Sequence, residues 1–271
     1  MRRPAPAKIN LALVVGPLRD DGKHEVVTVY QRVGLHDRLE LDQAPQTTVS
    51  GFDGDTIVRD ALDALARETG ASGGWRVRIE KRIPVAAGLA GGSTDAATAL
   101  RMANDTLDEP LELDVLHGLA ARLGADVPFF LHDGIQLGTG DGTTLAPVYV
   151  PQDFWILLLL PKDASKPSTA AVYGAFDERA GARDFDARRA HLLETLEQVQ
   201  RPRDLAALPP NDLARSPLAD ELHALGAFRA DVSGAGPAVY ALFHHKAQAE
   251  AAARAFRRRG RTWITAPAWY G

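Results

Sequence analysis

The sequence predicts an α+β protein of two domains. Three observations carry this expectation. The chain has 271 residues, enough for two modest cores. An early strand-then-helix order gives way, toward the C-terminus, to strand, strand, helix, strand, which suits helices on one face of a sheet. The patterning changes near residue 150, where we place the boundary between domains 1–150 and 151–271.

The elements follow in order. Residues 6–15 are rich in Ile, Leu and Val and alternate in part, as a strand does. Residues 26–41, VVTVYQRVGLHDRLEL, read as two strands around a turn at Gly34–Asp37. Ile57, Ala61, Leu62 and Leu65 recur at helical spacing, and Gly70 can end that helix. Trp75, Val77 and Ile79 alternate with charged neighbours, a half-buried strand. A glycine-rich loop comes next, then a helix over about 93–104. Asp114 can cap a helix carrying Val115, Leu116, Leu119 and Leu123, closed by Gly124. Residues 134–148, containing GTGDGTT, read as a hairpin.

Beyond the boundary, FWILLLLP at 154–161 reads as a buried strand and is far too short to span a bilayer. A Pro/Ser/Lys-rich loop leads to helical segments at 169–179, 186–200 and 211–225, with the Pro-bearing connector RPRDLAALPP at 201–210. The end reads strand, the turn Ser233–Pro237, a strand over 237–243, a helix over 246–259 and a strand over 262–266.

Composition narrows the function classes. A net charge of −4 gives no global field for nucleic acid or anionic membrane. The run Arg257–Arg258–Arg259 ends a helix, where cations are favoured. With no cysteine, disulfides, thiolate nucleophiles and zinc–sulfur sites are excluded. The start, MRRPAPAKIN, lacks a signal peptide's apolar run, so a cytoplasmic protein is expected. Neither G-x-x-x-x-G-K-[ST] nor G-x-G-x-x-G occurs. Gly70–Gly74 matches G-x-S-x-G in form but follows a helix and precedes a strand, the reverse of a nucleophile elbow. The histidines show no metal spacing.

Three stretches remain. In Pro84–Thr94, PVAAGLAGGST, the small residues Ala86, Ala87, Gly88, Ala90, Gly91 and Gly92 let backbone N–H groups approach an anion. Val85 and Leu89 sit among them, and Ser93 and Thr94 add hydroxyls where the helix starts. Asp126, in GADVPFF, is placed either to cap a helix with Pro128 in its first turn or to act as a base. Lys8, between Ala7 and Ile9 on a buried strand, needs a charged partner, and Asp126 is a candidate. The turn at 233–237 by itself is a plain hairpin turn.

Together these stretches resemble the three signature motifs of the GHMP kinase superfamily. Its phosphate loop, P-x-x-x-G-L-G-G-G-S-S-D-A-A, is matched from Pro84 to Ala97, with Ala90 for a glycine and Thr94 for a serine. Ala90 is expected at negative φ, and the Thr94 hydroxyl is expected to face the phosphates. PAKINLAL at 6–13, residues 21–41, LGADVPFFLHDG, STAAVY and NDL resemble the branch acting on a cytidine-diphosphate-linked methylerythritol.

The resemblance implies a two-domain GHMP kinase fold. An N-terminal ATP-binding domain and a C-terminal ferredoxin-like sandwich would hold the active site between them. It implies ATP-dependent phosphorylation of that substrate's 2-hydroxyl, with Mg²⁺ carried on ATP and no dedicated metal site. Asp126 would accept the hydroxyl proton and Lys8 would position it. Loop 84–94 would cradle the phosphates. Asn10, His24, Thr169 and Tyr173 would hold the substrate, His24 reading the cytosine edge and Tyr173 stacking on it. Lys23 stands where the family has tyrosine, and Thr56 where it has asparagine near adenine. No nucleic-acid or membrane partner is implied; a weak homodimer is allowed. One rival is a kinase of the same superfamily for another alcohol, such as homoserine or mevalonate. The other is a non-catalytic relative, against which Lys8, Asp126 and the loop argue.

Overall fold

Branched apolar residues fill the N-terminal segment, and the chain makes two long strands of them. In the computed structural model, which describes all residues except 53, 55, 163, 165–167 and 269–271, β1 (Arg2–Leu18) and β2 (His24–Ala44) pair antiparallel. The turn expected at Gly34–Asp37 is not made. β1 keeps pairing there, His36 with Pro6 and Asp37 with Ala5, so β2 runs straight through. Gly34 is small for another reason: a Cβ on it would lie 2.7 Å from Thr265 Oγ1, where the C-terminal strand passes.

β2 is the spine of a six-stranded sheet. Its C-terminal half pairs with β4 (Gly74–Glu80), which carries the short parallel β3 (Thr48–Ser50) on its outer edge. Its N-terminal half pairs with β5 (Ile135–Thr139), and β6 (Thr144–Val148) completes the expected hairpin.

Helices α1 (Ile57–Thr69), α2 (Gly91–Asn104) and α3 (Leu113–Leu123) cover one face. Leu62 and Leu65 of α1, and Ala99 and Leu100 of α2, close a core with Leu39, Leu41, Val77 and Ile79. Gly70 ends α1 with φ 67°, the left-handed stop its sequence position suggested. Asp114 lies inside the first turn of α3 instead of capping it.

The second sheet contains β7 (Trp155–Pro161), β8 (Arg229–Val232), β9 (Val239–Phe243) and β10 (Gly260–Thr265) in the order β10-β7-β9-β8. Helices α4 (Thr169–Glu178), α5 (Phe185–Gln198) and α6 (Pro217–Ala224) lie between β7 and β8 in sequence, and α7 (Lys246–Phe256) lies between β9 and β10. This strand order is the ferredoxin-like arrangement. The helix expected over 211–225 is shorter. Pro217 opens it, and Asn211 is held outside it by the sheet, donating from Nδ2 to the Val232 carbonyl at 2.9 Å.

A core shared by both sheets positions the site. Alternation along β1 sends Ala7, Ile9 and Leu11 into it, against Ile156, Leu158, Tyr240 and Leu242. Lys8 and Asn10, the residues between, face the other way. Among the described residues no helix is long and apolar enough to cross a membrane.

The loop from β4 to α2 is tightly wound. Ala86, Gly88 and Ala90 have φ of 56°, 82° and 56°. The negative φ expected of Ala90 is therefore overturned. Ala90 is the residue before α2, and the chain reverses there between Leu89, buried in the shared core, and Gly91. A left-handed backbone costs a non-glycine residue about 1–2 kcal/mol. Ala90→Gly removes that strain but loosens the unfolded chain, so its melting temperature should stay equal or rise slightly. Ala90→Val adds β-branching at the same φ and should melt several degrees lower. Thermal melts of the three proteins check this, and a valine variant as stable as the parent would contradict it.

Candidate active site

The alternation that buries Ile9 and Leu11 presents Lys8 and Asn10 to a cavity of about 530 Å³. Lys8 is only 3% exposed, and its Nζ donates to Asn10 Oδ1 at 2.7 Å. Asn10 Nδ2 donates to Thr28 Oγ1 at 2.8 Å, and Thr28 Oγ1 donates to the Ala12 carbonyl at 2.8 Å. Lys8 Nζ also lies 3.4 Å from Asp126 Oδ2, an ion pair in the cavity wall. Sequence spacing alone could not join these residues; the fold does. Asp126 does not cap the turn after it. The 3-10 turn Pro128–Leu131 has Val127 as its N-cap and no side-chain cap, which leaves the carboxylate to Lys8.

Tyr30, which carries no motif of its own, joins this group. Its ring centroid lies 5.3 Å from Lys8 Nζ. Burial, and then the charge of Asp126, push its phenol well above the ordinary range, so it stays protonated.

The glycine-rich loop lines the same cavity. Pro84, Val85, Ala86, Ala87, Gly88, Ala90, Gly91, Gly92 and Ser93 line the cavity. Two loop positions do not. Leu89 is 1% exposed in the shared core, and its carbonyl accepts from the Lys8 backbone N–H at 3.2 Å. Thr94 is fully buried within α2, so the expectation that its hydroxyl faces the phosphates is corrected. The helix starts at Gly91, which turns Thr94 toward the core and leaves Ser93 at the cavity.

The loop is locked to the turn between β8 and β9. Ser233 Oγ donates to the Gly88 carbonyl, and the Ala238 N–H donates to the Ala87 carbonyl, each at 2.9 Å. A Cβ on Gly88 would meet the Ser233 carbonyl at 2.3 Å, so only glycine permits the approach. The turn is thus more than a hairpin connection: Gly234 and Ala235 also line the cavity.

Lys81 anchors the loop from below. Its Nζ lies 2.6 Å from Asp37 Oδ2 and 2.7 Å from Asp95 Oδ2, both carboxylates being fully buried. Burial alone would lower the ammonium's pKa; Asp95 and Asp37 outweigh it, and the net shift is upward. Asp37 Oδ1 also accepts from the Arg82 and Ile83 backbone N–H groups. One lysine therefore ties β2, the loop entrance and α2 together. Lys81 also lines the cavity, beside Phe52, Thr56 and Ile57.

At the far end, Thr169 and Tyr173 line the cavity, together with Asp141. Lys23 and His24 lie behind this wall. Lys23 Nζ pairs with Asp141 Oδ2 at 2.5 Å. Burial would raise the Asp141 pKa, but Lys23 and Thr143 together hold it below the ordinary carboxylate value. The His24 ring stacks on Tyr173 with centroids 4.9 Å apart. Its Nδ1 is 2.9 Å from the Gly16 carbonyl and its Nε2 is 3.4 Å from Asp177 Oδ2. Burial, then Asp126, raise the Tyr173 phenol to about 12.

The cavity thus brings together a loop suited to an anion and a lysine-bound carboxylate. Backbone N–H groups and the α2 N-terminus favour phosphate oxygens. A hydroxyl lodged beside Asp126 has a proton acceptor. That is the equipment of phosphoryl transfer to an alcohol, which relies on positioning and electrostatics. Among the described residues no three His, Asp or Glu side chains converge as a metal cage.

Comparison with known proteins agrees with this geometry. Residues 56–134 match the GHMP kinases N terminal domain, and residues 216–262 match the GHMP kinases C terminal family. A 4-diphosphocytidyl-2-C-methyl-D-erythritol kinase of Salinispora arenicola is 37% identical over 265 residues, covering 90% of this chain and 84% of that one. Its counterpart from Gloeobacter violaceus is 38% identical, with 93% and 88% covered. A crystal structure of 4-(cytidine 5'-diphospho)-2C-methyl-D-erythritol kinase superposes with a TM-score of 0.80 at 30% identity, covering 98% of this chain and 99% of that one. A mevalonate kinase structure at 12% identity and a TM-score of 0.75 shares the fold alone. The chain is a small-molecule kinase and belongs to the 4-diphosphocytidyl-2-C-methyl-D-erythritol kinase family of the GHMP kinases.

Proposed function

We propose that this kinase transfers the γ-phosphoryl group of ATP to the 2-hydroxyl of 4-diphosphocytidyl-2-C-methyl-D-erythritol, a step in making isoprenoid precursors. The observation that carries the mechanism is the Lys8–Asp126 pair, 3.4 Å apart, lining one cavity with the glycine-rich loop. Asp126 takes the hydroxyl proton as the oxygen attacks phosphorus. Lys8 holds the carboxylate and offsets the charge gathering on the transferred group. The loop N–H groups, Ser93 and the α2 N-terminus hold the ATP phosphates. Asn10 is placed to orient the methylerythritol end.

At the cytidine end, Tyr173 offers the base a ring, backed by His24. Lys23 replaces an aromatic partner with an ion pair. Mg²⁺ enters on ATP and shields the phosphate charge. This reading divides the chain near residue 150, with the phosphate loop and the Lys8–Asp126 pair before it. The Ser233 turn and Tyr173 lie after it. A cytoplasmic location fits the enzyme.

ADP release in the presence of Mg-ATP distinguishes the candidate substrates. The cytidylyl substrate should turn over, while homoserine and mevalonate should not. Turnover of homoserine alone would sink the assignment.

Asp126→Asn should lower kcat by about 10²–10⁴-fold while ATP still binds. Loss of ATP binding would instead give Asp126 a purely structural part.

Lys23→Tyr exposes Asp141, whose charge then faces the substrate diphosphate. KM for the cytidylyl substrate should rise about three- to tenfold. Lys23→Tyr with Asp141→Asn should recover most of that loss. Steady-state kinetics on both proteins checks this, and tighter binding by the single variant would contradict it.

A further inference from the structure

Arg32 is among the largest side chains that solvent does not reach, with 0% exposure. A buried cation is costly unless its surroundings answer it. Burial brings its pKa down to about 10, with Asp133 opposing that fall and Arg101 adding to it. The guanidinium is met by carbonyls. Nη2 donates to the Phe129 carbonyl at 3.0 Å and to the His132 carbonyl, and Nη1 reaches the Gly134 carbonyl at 3.5 Å. Its central carbon lies 4.8 Å from the Phe129 ring centroid and 5.9 Å from that of Phe130. Arg101 donates from Nη2 to the Leu131 carbonyl. Two arginines thus grip the C-terminal end of the turn that follows Asp126.

The register gives this grip a direction. Across β1 and β2, Arg32 is the partner of Lys8. Facing side chains of an antiparallel pair project from the same face. Lys8 holds Asp126, and Arg32 holds residues 129–134 just beyond it. Between these two points the chain is a continuous turn: Val127 N–H donates to the Gly124 carbonyl and Phe130 N–H to the Val127 carbonyl, each at 3.1 Å. Phe129 also stacks on Tyr30, with centroids 5.0 Å apart, and Tyr30 lies beside Asp126.

We propose that Arg32 is a positioning residue for phosphoryl transfer, bracing residues 128–134 so that Asp126 stays aligned with Lys8 and the acceptor hydroxyl. The inference rests on Asp126 being the base. A misplacement of about 1 Å at a reacting group can cost 10²-fold in rate.

The test compares Arg32→Met, Arg32→Lys and Arg101→Met with Asp126→Asn, using kcat per ATP-binding site, both KM values and thermal melts. In folded Arg32→Met, kcat should fall about 10–100-fold with KM for ATP within about threefold. Arg32→Lys keeps a cation without the fork and should recover part of that rate. Folded Arg32→Met with kcat within about twofold of the parent overturns the inference, as does a rise in KM for ATP with kcat unchanged. If neither Arg32 variant folds, half-buried Arg101 probes the same brace, and an unchanged kcat in Arg101→Met overturns it. Full turnover by Asp126→Asn removes the base, and the inference with it. An inactive Asp126→Asn beside a fully active Arg32→Met removes the inference alone.

Discussion

The buried ammonium of Lys8 sets the terms for the residues around it. An almost fully covered cation needs oxygen on several sides, and this fold supplies it from distant stretches of sequence. Asn10 comes from the same strand and Asp126 from the segment after α3. The Lys8 backbone is also tied to the phosphate loop through Leu89. The strand cannot slip by one residue without exchanging Lys8 for Ile9 at the cavity and placing an ammonium in the shared core. Strand register, cavity chemistry and loop position are therefore one constraint.

Charge is handled differently at the two ends of the cavity. Beside the glycine-rich loop, Lys81 balances two fully buried carboxylates, and the three groups fix the shape of the loop entrance. Near Tyr173 and Thr169, Lys23 is half exposed and meets a single carboxylate, Asp141. The first arrangement is embedded in the protein and little screened by salt. The second lies close to solvent and is open to rearrangement when an anionic substrate arrives.

Much of the fold was legible because its elements carry strong local signals. The alternation around Val77, the spacing of Leu62 and Leu65, and the stop at Gly70 all fold as written. Local signals failed where a distant segment decides the outcome. Gly34–Asp37 looks like a turn, yet β1 pairs across it, and its glycine answers to Thr265. At the site, small residues marked the glycine-rich loop that lines the cavity, and buried-strand logic marked Lys8. Ala90 and Thr94 were misjudged because the exact start of α2 decides both backbone sign and side-chain direction, and sequence places helix ends poorly. Tyr30, Lys81 and Asp141 carry no motif of their own. Each matters through a partner far along the chain, although a lysine directly before a phosphate-type loop was a signal available to be read.

The contact between Gly88 and Ser233 has a consequence for how such enzymes can diverge. This part of the cavity is built by one turn from each sheet, fitted with no room for a side chain between them. Neither turn can drift in length or bulk on its own. An exchange of halves between relatives would have to carry both turns together, so the seam between the sheets is inherited as a matched pair, more like a tenon and its mortise than like two walls that happen to meet.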